Sequence, residues 1–166
     1  PMAIEINGIA HIQLTVSDAD RAVPFWERLC HFFGMKTLIR GEGIVYCIGG
    51  RTGVLVRGAP PERRGERFDQ DRAGLHHVCF RARAREDVDA VGRFLAGEPD
   101  ARLVHPPEDG AGFAPGYYSI LFEDPDGIRV EVNFVPGKWH FGGAGRLAPG
   151  GPGPATRYGD GGVGDR

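Results

Sequence analysis

The chain nearly repeats itself, and that repeat constrains its fold more than any single motif. Residues 9–16, IAHIQLTV, alternate apolar and polar side chains as a half-buried strand does. In SDADRAVPFWERLCHFFG, Ser17 or Asp18 stands where a helix needs its N-cap. Ala22, Phe25, Trp26, Leu29 and Phe33 then form an apolar stripe that Gly34 closes. Pro24 removes one helical hydrogen bond, which places it in the first turn or two, on a 3₁₀ start. Short strands are predicted at 36–40, 43–48 and 53–57, separated by Gly-containing turns.

The pattern then restarts. LHHVCFRA, 75–82, reads as a strand, and REDVDAVGRFLA, 85–96, as a helix with Val88, Val91 and Leu95 on one face. Strands follow at 101–105, 117–123 and 128–134. The last two are joined by Asp124-Pro125-Asp126-Gly127, where Pro presets the turn and Gly supplies the unusual φ. Each half therefore reads β-α-β-β-β, an α+β organisation. The first module spans 8–58, a charged, Pro-bearing linker 59–73, and the second module 74–135. The linker's Arg residues are candidates for an anionic ligand, but connections of this kind ordinarily run solvated over a surface. Residues 136–166 form a Gly/Pro-rich tail that includes Trp139, His140 and Phe141 and whose far end cannot build a core.

Composition narrows the function. A net charge of -2 with scattered Arg gives no reason to expect nucleic acid or an acidic membrane as partner. No apolar run approaches the roughly 20 residues that span a bilayer, and no charged-then-apolar leader opens the chain. Cys30, Cys47 and Cys79 are odd in number and lack C-x-x-C spacing, which suits buried thiols in a reducing, cytoplasmic setting.

Alternation then assigns faces. His11, Gln13 and Thr15 share one face of the first strand. His77, Cys79 and Arg81 share one face of the strand that opens the second half, and Arg129, Glu131 and Asn133 one face of the last. The opposite faces are apolar and suited to packing against a helix. His11 and His77 occupy equivalent places in the two halves. A lone strand histidine is ordinarily a satisfied core residue, but two imidazoles and a carboxylate can satisfy one another around a divalent ion and leave positions open for water and substrate.

GIAHIQLTVSDADRAVPFWERLCHFFGM, LHHVCFRA and LFEDPDGIRVEVNFVPG resemble the vicinal oxygen chelate superfamily over about residues 8–136. That superfamily includes glyoxalase I, extradiol dioxygenases, fosfomycin-resistance enzymes, methylmalonyl-CoA epimerase and bleomycin-binding proteins. The resemblance implies two paired βαβββ modules forming an open, U-shaped mixed sheet around one divalent metal ion, whether Fe, Mn, Zn or Ni. It puts the ligands on His11, His77 and Glu131.

Departures from the family pattern sharpen this. Aligning GVLVRGAP with RVEVNFVP places Leu55 where a glyoxalase I-type site carries a fourth, carboxylate ligand. Leu121 stands where extradiol dioxygenases carry a catalytic tyrosine, ten residues before the glutamate; Tyr117 and Tyr118 lie nearby, with packing as their plainer role. Gln13, Arg81, Tyr118 and His105 are the candidates for catalytic duty around the ion, Arg81 for a substrate carboxylate. The expected function is a metal-dependent enzyme, dioxygenase- or glyoxalase-like, acting on a small molecule that chelates the ion through vicinal oxygens. The alternatives are a metal-free drug-binding protein of the bleomycin-resistance type and a fosfomycin-resistance-type transferase or hydrolase. A homodimer is expected, since the site needs both modules and they can pair within one chain or between two.

Overall fold

The computed structural model describes Ile6 and residues 8–136. The tail with Trp139, His140 and Phe141 lies outside the described residues. Two βαβββ repeats follow each other along the chain, the α+β fold that the alternation and helix periodicities imply. Among the described residues, no helix is long and apolar enough to cross a membrane.

The first repeat comprises β1 (His11–Val16), α1 (Ala19–Phe32), β2 (Lys36–Gly41), β3 (Ile44–Gly49) and β4 (Thr52–Gly58). Its strands form an open sheet in the order β1-β4-β3-β2, with β1 parallel to β4 and the other pairs antiparallel. The second comprises β5 (Val78–Arg81), α2 (Arg85–Leu95), β6 (Arg102–Asp109), β7 (Tyr118–Glu123) and β8 (Arg129–Phe134), in the sheet order β5-β8-β7-β6. The two sheets thus share one strand order, the structural counterpart of the repeat in the sequence. Between them the linker holds a short 3₁₀ turn, Pro61–Arg63.

Contacts divide the chain into two compact units. The first runs to His76 and takes in Asp100–Arg102 and Glu123–Ile128; the second holds His77–Pro99, Leu103–Phe122 and the chain from Arg129 on. In the first unit α1 begins at Asp18, whose carboxylate accepts the Arg21 backbone N–H at 3.2 Å. Its Phe25, Trp26, Leu29 and Cys30 are buried with Leu14 and Val16 of β1, Val45 and Cys47 of β3, and Val54 and Val56 of β4. Pro24 sits within an α-helix already regular at Ala19, in its second turn rather than on a 3₁₀ start. There it forgoes one backbone bond, while the buried face around it offsets the loss.

The Asp-Pro-Asp-Gly turn belongs to this first unit. Asp124 is buried and accepts three N–H groups: the Trp26 indole at 2.8 Å, the Asp126 amide at 2.9 Å and the Ile128 amide at 2.8 Å. Asp126 accepts the Ser17 hydroxyl at 2.9 Å and the Ser17 backbone N–H. Burial of Asp124 outweighs these donors and raises its carboxyl to about 6. In the second unit Val88, Val91 and Leu95 of α2 are buried with Ile120, Phe122, Val130 and Val132. Ala84 precedes α2 without a side-chain acceptor, and Asp87 reaches back to accept its N–H at 3.0 Å.

Candidate metal centre

Strand register shows how the candidate residues are placed. In β1, Leu14 and Val16 are buried while His11, Gln13 and Thr15 are exposed, the alternation expected of a strand with one face on a helix. Gln13 lies opposite Leu55 across β1 and β4. In the second sheet Cys79, two residues after His77, lies opposite Glu131. Leu55 and Glu131 are therefore register equivalents, and the apolar residue stands where the second repeat carries its carboxylate.

His77 and Glu131 meet in the second unit, with the imidazole Nε2 3.2 Å from Glu131 Oε2. Glu131 is buried at 4% exposure, so its charge needs partners. It has them: the Tyr117 hydroxyl donates to Oε1 at 2.5 Å, and Asn133 Nδ2 donates to that hydroxyl oxygen at 3.1 Å. Burial alone would raise the Glu131 carboxyl, but bonds from His77, Tyr117 and Ser119 outweigh it and hold the group below its ordinary range. The same contact acts on Tyr117, whose burial and bond to Glu131 push its hydroxyl well above the ordinary range.

This donor pair fits a divalent ion. Two atoms bound to one ion at about 2.1 Å each lie roughly 3.0 to 3.4 Å apart for bond angles of about 90 to 110°. The separation of 3.2 Å between Nε2 and Oε2 falls in that span. His11 belongs to the first unit. Its ring meets the Tyr46 ring edge-on, with centroids 6.4 Å apart. Gly53, opposite His11 in the ladder, makes room for that tyrosine: a Cβ there would come within 2.5 Å of the Tyr46 hydroxyl. Among the described residues no group of three or more His, Cys, Asp or Glu side chains is gathered in metal-holding geometry.

The other candidates have their own settings. Arg81 is exposed at the end of β5, opposite Asn133 in register, and so shares the face that carries Cys79 and Glu131. Tyr118 points the other way: its hydroxyl donates to Asp89 of α2 at 2.7 Å, and the Arg85 guanidinium lies 3.5 Å over its ring. His105 is held locally, its Nδ1 2.9 Å from the Pro106 carbonyl and 3.8 Å from Glu108. Leu121 is buried within β7, and every residue of that strand is buried. Of the two adjacent tyrosines, Tyr117 touches the Glu131 carboxylate, whereas the sequence pattern nominates Tyr118, which packs on α2 instead. Tyr46 had no signal at all, because its nearness to His11 depends on Gly53 in a different strand. The linker's Arg63 and Arg67, with Thr15, Ser17 and Asp126, line a cleft of about 250 Å³ in the first unit. Arg63 is paired there with Glu66 at 3.1 Å.

A fold of two βαβββ repeats, with a histidine opening each and a glutamate on the last strand, defines a class of protein. The model of the Glyoxalase/Bleomycin resistance protein/Dioxygenase superfamily matches residues 8–132, and the chain belongs to that superfamily. It is 30% identical to YqjT of Bacillus subtilis (strain 168) over 123 residues, 74% of this chain and 94% of that protein. It is 29% identical to the metallothiol transferase FosB of Shouchella clausii (strain KSM-K16) over 136 residues, 77% of this chain and 80% of that one. Among solved structures, the lactoylglutathione lyase of Agrobacterium tumefaciens superposes with a TM-score of 0.56 at 26% identity, covering 82% of this chain and 98% of that one.

Proposed function

We propose that the protein is a metal-dependent enzyme whose ion is held by His11, His77 and Glu131, and which acts on a small substrate bound through adjacent oxygens. The observation that carries this is the pairing of His77 with the buried Glu131 at 3.2 Å. A buried carboxylate is costly, and holding it ionised beside an imidazole at ligand spacing suits a cation. His11 completes the set, from the same chain or from a second copy. When bound, the ion supplies a Lewis acid that stabilises developing negative charge on a substrate oxygen.

The chain's own residues do the rest. Tyr117 and Asn133 keep Glu131 ionised and fixed. His77 would hold the ion through the lone pair of a ring nitrogen. Arg81, exposed on the face of Cys79, binds an anionic group of the substrate. Gln13, exposed on the His11 face, offers a neutral donor and acceptor to the substrate's remaining polar atoms.

Within the superfamily, Leu55 at the register position of Glu131 disfavours a four-ligand site of the glyoxalase I type. Leu121 in a fully buried strand disfavours the tyrosine-assisted ring cleavage of the dioxygenases. The relative named as a metallothiol transferase favours a second, narrower reading, transfer of a thiol to a small substrate, the fosfomycin-resistance-type alternative. Cys30 and Cys47 are the buried thiols that support a reducing, cytoplasmic setting, whereas Cys79, expected to be buried, is exposed. A homodimer fits a site that needs both repeats.

The test is the metal content of protein purified without added metal, beside His77→Ala. Near one equivalent in wild type and a tenfold loss in the variant is the expected result. Less than a tenth of an equivalent in both would sink the enzyme reading in favour of a metal-free binding protein. Thiol addition to epoxides and oxygen uptake with catechols, measured on metal-loaded protein, then separate the reaction classes.

A further inference from the structure

We propose that Tyr117 is a positioning residue that reserves Glu131 Oε1 and leaves Oε2 as the oxygen offered to the metal. The proposal rests on the metal-site reading above and adds which atom ligates and what enforces it.

The proton positions along the chain Asn133–Tyr117–Glu131 follow from donor counting. Ionised Glu131 only accepts, so the proton between Tyr117 and Oε1 must be the phenol's own. A phenol has one proton. The contact from Asn133 at 3.1 Å must then be a donation into the tyrosyl oxygen, which the amide NH₂ supplies. The hydroxyl is thereby aimed at Oε1 from behind.

The tyrosine cannot easily turn away. The Phe113 ring stacks on it with centroids 5.1 Å apart and planes 29° from parallel. The ring fills the space beside Gly110, where a Cβ would lie 2.7 Å from Tyr117 Cδ1. The Tyr117 backbone is pinned as well, its carbonyl accepting the Gly110 N–H at 2.8 Å and its N–H reaching the Ala114 carbonyl at 3.0 Å. A carboxylate that binds a metal through both oxygens takes two coordination positions; through one oxygen it takes one. By occupying Oε1, Tyr117 keeps a position available for substrate. Outer partners of this kind orient a ligand and tune its affinity.

The experiment adds Co(II) to the full chain and to Tyr117→Phe, reading the visible absorption of the bound ion and the dissociation constant by chelator competition. Co(II) bands weaken as coordination number rises. The expected result is a variant that still binds one Co(II), with weaker bands and a dissociation constant raised about tenfold, the lower end for lost outer partners. Asn133→Ala should shift the bands the same way by less, and it carries the test if Tyr117→Phe does not fold. A variant with wild-type bands and affinity, even if less stable, overturns the proposal and leaves the metal reading standing. A wild-type protein that takes up no Co(II) overturns both.

Discussion

Leu55 and Glu131 occupy the same place in the two repeats, one opposite Gln13 across β1 and β4, the other opposite Cys79 across β5 and β8. The repeat is therefore symmetric in backbone and asymmetric in chemistry, with one carboxylate where two are possible. Glu131→Gln keeps the side chain's shape and removes its charge. Metal affinity is expected to fall by at least about a hundredfold, more than for loss of an outer partner. Leu55→Ala should leave it within about threefold. Competition with a chromophoric chelator measures both; equal losses in the two variants would mean that Glu131 is no ligand.

The Asp-Pro-Asp-Gly turn is an anchor as well as a turn. Asp124→Ala leaves the Trp26 indole N–H and two backbone N–H groups without their acceptor. A cost of about 2 to 4 kcal/mol is expected from urea unfolding. Trp26→Phe removes one donor and some volume from a buried site, and should cost about 1 to 3 kcal/mol.

The same carboxyl makes stability depend on pH. Burial pushes the Asp124 carboxyl up to about 6, above the ordinary carboxylate range, so the folded state binds its proton more tightly than the unfolded chain does. The contribution is fully present below about pH 4 and is lost as pH rises through about 6. Across that window it is on the order of 2 kcal/mol. Asp124→Asn removes the titration. Wild type should therefore gain on the variant as pH falls from 7 to 4, measured by urea unfolding at each pH. A difference that stays flat across that range would show that the carboxyl titrates normally.

Arg51 is the one described non-glycine residue with positive φ, 65°, and it follows Gly50 at 57° in the two-residue turn between β3 and β4. Both central residues of such a turn need the left-handed region, where arginine is strained and asparagine is tolerated. Arg51→Asn should raise stability by about 0.5 to 1 kcal/mol, seen as a higher Tm. Since Arg51 is exposed, no packing change should offset the gain.

Periodicity determined what is local in this protein. The alternation of IAHIQLTV, the stripe from Ala22 to Leu29 and the Asp-Pro-Asp-Gly turn specify strands, helix and hairpin through interactions between near neighbours. The repeat then made His11 and His77 counterparts, and alternation put Glu131 on the polar face of its strand. The strand expected at 101–105 is longer in the structure, where β6 continues through Pro106 and Pro107 to Asp109. At a sheet edge a proline's missing N–H costs no ladder bond.

Tertiary structure decided what lies far apart in the chain. Tyr117 and Tyr118 are adjacent and point to opposite sides. Alternation says only that they differ, and the packing of β7 settles that Tyr118 meets Asp89 while Tyr117 meets Glu131. Asp124 and Asp126 read as turn residues, yet their carboxylates accept from Trp26 and Ser17, partners 98 and 109 positions away. Such pairs depend on how whole elements pack, and no local pattern encodes that. The sequence alone nominated His77 and Glu131; the packing brought them within 3.2 Å and supplied the tyrosine that holds the carboxylate.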